Sequence, residues 1–148
     1  MSSGHVISLK RLAVTVVIVG LAGLAACGGT PPGRDEESGD SILAKAYADR
    51  ATDLEVEGAG LVERMLSDDE EGSRHQRFIL RLQSGQTLLI AHNIDVAPRA
   101  EGLRVGDTIA FRGVYEWSQQ GGTVHWTHRD PEGEHAPGWI RHRGVQYD

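Results

Sequence analysis

Cysteine is nearly missing from this chain: Cys27 stands alone among 148 residues. That excludes an internal disulfide and any zinc cage built on two or more thiolates of the same chain. Aromatic residues are also few, with two Phe, three Tyr and three Trp, so a core has to use each of them economically. Positive charge is the scarcer sign, 15 Lys and Arg against 21 Asp and Glu, for a formal −6. Phosphate backbones are held by clustered Lys and Arg that displace condensed counterions, so this balance disfavours a nucleic-acid partner. Ser67, Ser73, Ser84 and Ser118 lack a G-x-S-x-G setting, and there is no G-x-x-x-x-G-K phosphate cradle; nucleophile-elbow and P-loop chemistry are therefore absent. No apolar run reaches the roughly twenty residues of a spanning helix.

What is present begins with an address. Lys10-Arg11 precede an apolar run from Leu12 to Leu24, and small residues lead to Cys27, the anatomy of a signal peptide. Leu24-Ala25-Ala26-Cys27 resembles the lipobox of bacterial lipoproteins. The resemblance implies that Cys27 receives a diacylglyceryl group, that residues 1–26 are removed, and that the mature chain is anchored to a membrane through the Cys27 lipid. Gly28 after the cysteine, rather than Asp, resembles the pattern of export to the outer membrane, which implies a place in the bacterial cell envelope facing the periplasm. Cleavage removes Lys10 and Arg11 and no acid, leaving 13 basic against 21 acidic residues, a formal −8.

Three segments follow from composition: the signal at 1–26, a tether at 27–40 and a folded domain at 41–148. GGTPPGRDEESGD, residues 28–40, has almost no apolar residue with which to order itself. Asp40 or Ser41 is positioned to cap a short helix through Arg50, with Ile42, Leu43, Ala46 and Tyr47 on one stripe. From Leu54 the period becomes two. Strands are expected at 54–66, 74–82, 86–94, 108–118 and 123–128, separated by an acidic turn at 67–73, Ser84-Gly85, a connection through Pro98 and a Gly-rich turn at 119–122. A mostly β fold with five strands and a break after the third fits a small OB-like barrel with a short N-terminal helix.

Register then assigns faces. With Ser84-Gly85 as a two-residue turn, Phe78 opposes Ala91 and Leu80 opposes Leu89. His75, Arg77, Arg81 and His92 come to the outer face, the two histidines on a diagonal of about 7–8 Å, edged by Asn93 and Asp95. In the second hairpin Trp117 opposes Val124, Tyr115 opposes Trp126 and Glu116 opposes His125, which sends Ile109, Phe111, Tyr115, Trp117, Val124 and Trp126 inward. The run Val124–His135 holds three histidines. His125 and His128 stand on opposite sides of an extended strand and are poor joint ligands unless the strand ends or bulges between them. His128, Asp130 and His135, with His142 as a fourth donor, form an alternative metal set near a tight turn, suited to zinc or copper.

GSRHQRFIL at 72–80, AHNIDVAPR at 91–99, GDTIAFRGVYEW at 106–117, GGTVHWTHRDP at 121–131 and GWI at 138–140 together resemble the uncharacterised bacterial domain of unknown function family 3465. The resemblance covers about residues 55–147. It implies a small exported β-rich domain and brings no activity, catalytic residue or cofactor. The function expected is a non-enzymatic binding or envelope-interaction module without a cofactor. Its ligand face is His75, Arg77, Arg81, His92, Asn93 and Asp95, and two arginines would suit an anionic glycan or an acidic envelope protein. The alternative expectation is a metal-dependent hydrolase or metal-binding protein centred on the C-terminal histidines.

Overall fold

A computed structural model describes residues 38–133 and 135–148. The signal at 1–26, Cys27 and most of the expected tether lie outside the described residues. One helix and seven strands make up the folded unit: α1 (Gly39–Ala48), β1 (Leu54–Met65), β2 (His75–Arg81), β3 (Thr87–Asn93), β4 (Thr108–Glu116), β5 (Thr123–His125), β6 (Trp139–His142) and β7 (Val145–Tyr147). The strands run in the order β1-β2-β3-β5-β4, and β4 returns to pair with β1, so a five-stranded barrel closes without a free edge. Only the β3–β5 pair is parallel. The fold is thus the expected OB-like barrel with a short N-terminal helix. The hairpin β6–β7, added beside β4, was not anticipated, because its strands are only four and three residues long.

β1 serves two neighbours. Leu54–Leu61 pair with Tyr115–Thr108 of β4, and the strand continues to β2, with an irregularity between Val62 and Arg64. Extra residues of this kind bend a strand and tighten its twist, which a small closed barrel requires. Gly58 and Gly60 precede the irregularity, on the stretch paired with Phe111 and Ile109 of β4. A methyl at Gly58 would meet the Phe111 ring at 3.0 Å and Leu43 at 3.3 Å.

The core is one cluster. Phe78, Leu80, Leu88, Ile90, Ile109, Phe111, Tyr115, Val124 and Ile140 are fully buried, with Leu43 and Ala46 brought in by α1. Burying a leucine of this kind contributes about 1.5–3 kcal/mol. The helix starts two residues earlier than its apolar stripe suggests: Ser38 is the cap and its side chain accepts from Ser41 N. Asp40 lies in the first turn and accepts from Ser84 N at 2.8 Å, so the last residues assigned to the tether belong to the domain.

The first hairpin corrects the expected register. Its loop has three residues, Gln83-Ser84-Gly85, closed by Leu82 N to Gln86 O and Gly85 N to Leu82 O, with Gly85 at φ 87°. This is a turn followed by a left-handed residue, which glycine supplies without strain. Phe78 therefore faces Ile90, and Leu80 faces Leu88. One added loop residue exchanges the two faces of β3, so Leu88, Ile90 and His92 point inward. In the second hairpin Tyr115 pairs with Val124 and Glu116 with Thr123, a shift of two, which preserves the faces. Trp117 is only partly buried, stacked on Tyr47 of the helix with ring centroids 6.4 Å apart. Trp126 is not core at all.

Candidate functional site

β5 and β6 lie in line along the same edge of β4: β5 takes Val114–Glu116 and β6 takes Ile109–Arg112. Between them is Gly113, where a Cβ would meet His125 O at 2.3 Å and Thr127 Cγ2 at 2.9 Å. The chain leaves the sheet after His125 and rejoins it at Trp139, so residues 126–133 and 135–138 belong to an excursion pinned at its neck. Gly138 N donates to His128 O at 2.9 Å, and a Cβ at Gly138 would fall 1.9 Å from Trp126 O. The strand ends because Trp126 adopts φ 53°, a conformation that costs an ordinary residue roughly 1–3 kcal/mol and persists only where its surroundings enforce it.

That break gathers the histidines. Past His125 strict alternation no longer applies, and His125, Trp126 and His128 line one cleft with Ser73, His75 and Asn93, about 240 Å³ in volume. Trp126 is 40 % exposed, with its ring centroid 5.6 Å from His125, 5.6 Å from His128 and 4.4 Å from His135. His128 and His135 meet edge to face at 5.4 Å.

Hydrogen bonds fix several of these rings. His128 Nδ1 lies 2.6 Å from Arg129 O, and His135 Nδ1 lies 2.8 Å from Ala136 O. A carbonyl can only accept, so each Nδ1 donates, and in the neutral ring Nε2 keeps an open lone pair. His92 has the reverse arrangement. Its Nε2 donates to Pro98 O at 3.0 Å, and its Nδ1 accepts from the Thr127 hydroxyl at 2.9 Å. Nε2 of His125 and Nε2 of His135 are buried and have no hydrogen-bond partner. Glu116 stands 3.8 Å from the first and Asp130 3.9 Å from the second, beyond hydrogen-bond reach.

Charge follows from this packing. Burial pushes the His92 pKa below the ordinary imidazole value, its hydrogen bond to Pro98 opposes this, and the neighbouring His128 and His75 add to the lowering. Burial also lowers His125, against the pull of Glu116 and together with His135 and His75. His75 thus acts on both His92 and His125, His128 on His92, and His135 on His125.

Residues 32–148 match the family described as Protein of unknown function (DUF3465). The chain belongs to that family. No curated protein matches it.

Within the DUF3465 domain, the residues expected as the ligand face divide. His75 and Asn93 are directly opposed on the outer side of β2 and β3 and both line the cleft. His92 is fully buried on the inner side, opposite Gln76, because the three-residue loop reverses β3. Arg77 and Arg81 stay outside but are engaged: Arg77 with Ser67 O at 3.1 Å and Asp69 at 3.6 Å, Arg81 with Glu63 at 2.7 Å. Asp95 accepts from Arg74 N at 2.7 Å and pairs with its guanidinium at 2.8 Å; these bonds hold its carboxyl below the ordinary range.

Of the alternative metal set, His128, Asp130 and His135 share the excursion. His142 does not join them. It sits on β6, paired with Ile109, and its Nε2 lies 3.0 Å from Asp107. Asp130 accepts from Glu132 N and His135 N, both at 2.9 Å. Among the described residues no group of three or more His, Cys, Asp or Glu side chains is placed to hold a metal ion. No helix among them is long and apolar enough to cross a membrane.

Sequence reasoning placed Trp126 in the core and His125 only against Glu116, so it missed the cleft between them. A signal was available: Arg129-Asp130-Pro131 demands a turn directly after the strand, and alternation fails wherever a strand ends.

Proposed function

We propose that this protein is a non-enzymatic binding module of the bacterial cell envelope, tethered by a lipid on Cys27 and binding a small ligand in the cleft of His75, Asn93, His125, Trp126 and His128. The observation that carries the reading is the buried, partnerless Nε2 of His125, a residue of the cleft lining, beside an exposed tryptophan held at positive φ. A buried polar atom without a partner costs about 1–3 kcal/mol, and a ligand group entering the cleft would recover that cost. Envelope placement is supported by the lipobox resemblance at Leu24–Cys27 and by the signal anatomy before it.

The test is a thermal-shift screen of the full chain against sugars, amino acids, small anions, amines and divalent metal salts. At least one class should raise Tm in the wild type and not in Trp126→Ala. A screen in which nothing shifts the wild type, or in which every shift survives Trp126→Ala, overturns the reading.

A further inference from the structure

Three features of the cleft restrict what it can hold. Its lining, Ser73, His75, Asn93, His125, Trp126 and His128, contains no Lys, Arg, Asp or Glu. The nearest carboxylates are already engaged: Glu116 accepts from the Thr52 hydroxyl and from Asp53 N, and Asp130 from two backbone N–H groups. A full charge entering here would meet no charged side chain in the lining, and burying an unpaired charge is costly. The arginines that would have suited an anion are bound to Asp69 and Glu63 on the barrel wall.

The second feature is what the polar groups offer. His128 spends Nδ1 as a donor on a backbone carbonyl, and the Nε2 of His125 is buried and unpartnered. An imidazole nitrogen that bears no proton takes a donor from the ligand. Asn93 Oδ1 accepts from Asp95 N at 3.0 Å, which leaves its amide N–H₂ to donate. Acceptors and one donor therefore stand side by side, as a hydroxyl, being both donor and acceptor, would use them. The third feature is the Trp126 indole at the mouth, backed by the His125, His128 and His135 rings, an apolar platform with fixed orientation. At about 240 Å³ the space is below the range of roughly 300–1,000 Å³ usual for drug-sized ligands.

We infer that the cleft takes one neutral, polyhydroxylated ring, a single sugar unit, with its apolar face on Trp126 and its hydroxyls donating to the imidazole nitrogens behind. This rests on the binding role proposed above and names the ligand class for it.

Saturation-transfer NMR on the full chain tests it, using methyl glucoside, methyl galactoside and methyl N-acetylglucosaminide as probes, with acetate, tetramethylammonium and zinc in parallel. At least one methyl glycoside should bind saturably in the millimolar range. Its affinity should fall about tenfold or more in Trp126→Ala and in His125→Phe, the latter keeping a ring beside the indole while removing the acceptor. Trp126→Phe supplies a second, milder variant should Trp126→Ala fail to fold, with a partial loss expected. Removing a ring hydroxyl from the bound glycoside should weaken it by a similar factor, since a site built to pair a hydroxyl rejects the analogue lacking one. If no glycoside binds while acetate, tetramethylammonium or zinc saturates and depends on Trp126, the sugar assignment is wrong and the cleft remains a binding site. If none of the probes binds, the sugar assignment falls, and the thermal-shift screen decides the broader reading separately.

Discussion

Nδ1 of His92, a ring with no exposed surface, lies 2.9 Å from the hydroxyl of Thr127, and this bond ties the inner face of β3 to the first residues of the excursion that carries the cleft. Thr127 is itself fully buried. Thr127→Val removes the hydroxyl at nearly constant volume and takes from the buried ring nitrogen its side-chain partner, at a cost of about 1–3 kcal/mol. Urea denaturation should show that loss as a lower midpoint with an unchanged slope.

The same ring makes the fold sensitive to acid. Its folded pKa is below the ordinary value of 6.5, chiefly through burial, so the native state holds it neutral while the unfolded chain takes up a proton nearer 6.5. The contribution to stability is complete above that value and is lost as pH falls below it toward the folded value. His125, also lowered by burial, acts with the same sign. Unfolding midpoints should therefore hold steady between about pH 8 and 7 and fall below roughly 6.5. His92→Gln, which keeps a donor and an acceptor but cannot ionise, should flatten part of that fall. An unchanged acid limb in that variant would locate the sensitivity elsewhere.

Gly138 is the clamp at the neck of the excursion. A Cβ there would lie 1.9 Å from Trp126 O, 2.8 Å from Arg112 O and 2.9 Å from Thr127 Cα, all backbone atoms that cannot rotate aside. Gly138→Ala should cost about 3 kcal/mol or more. It should also move Trp126 relative to the histidines, a change that near-UV circular dichroism would report as an altered tryptophan band.

At the other end of the domain the helix closes on a strained residue. Ala51 N donates to Ala46 O and Arg50 N to Tyr47 O, the paired bonds of a Schellman cap, with Arg50 at φ 53°. Glycine reaches that conformation without the roughly 1–2 kcal/mol that an L side chain meets there. Arg50→Gly gives up the guanidinium over Trp117, 5.2 Å from the ring centroid, worth about 0.5–1 kcal/mol at an exposed site. The net expectation is a gain of about 0.5–1 kcal/mol in urea unfolding, with no effect on the cleft.

The barrel was legible because its signals are repetitive: alternation over β1 to β4 and hairpin residues at 84–85 and 119–122. The faces of β3 were not, since one residue of loop length reverses them, and a Ser-Gly pair does not state whether the turn holds two residues or three. The cleft failed for a related reason. Period-two reasoning was carried from His125 to Trp126 and beyond, and nothing in the residue pattern announced the positive φ at Trp126. That conformation is imposed by distant partners, the edge of β4 at Gly113 and the backbone at Gly138. The caution that His125 and His128 separate only if the strand continues identified the weak point: the strand stops between them.

The arginines provide a test of which face is used. Arg77 and Arg81 are paired with Asp69 and Glu63 on partly exposed surface, where such pairs contribute about 0–1 kcal/mol after solvent screening. Arg77→Gln combined with Arg81→Gln should leave cleft binding within about twofold. A loss of about tenfold or more would return the arginine face to the site.

Anchoring is separable from all of this. With Cys27 as the only thiol, Cys27→Ser removes the one position able to carry the lipid while leaving residues 38–148 untouched. Several acyl chains hold a protein far more firmly than one, at about 0.8 kcal/mol for each buried methylene, so the wild type should sediment with membranes and incorporate labelled palmitate in a bacterial host. The variant should do neither, yet retain the same Tm. Membrane association that persists in Cys27→Ser would mean that the apolar run at 12–24, rather than a lipid, holds the chain.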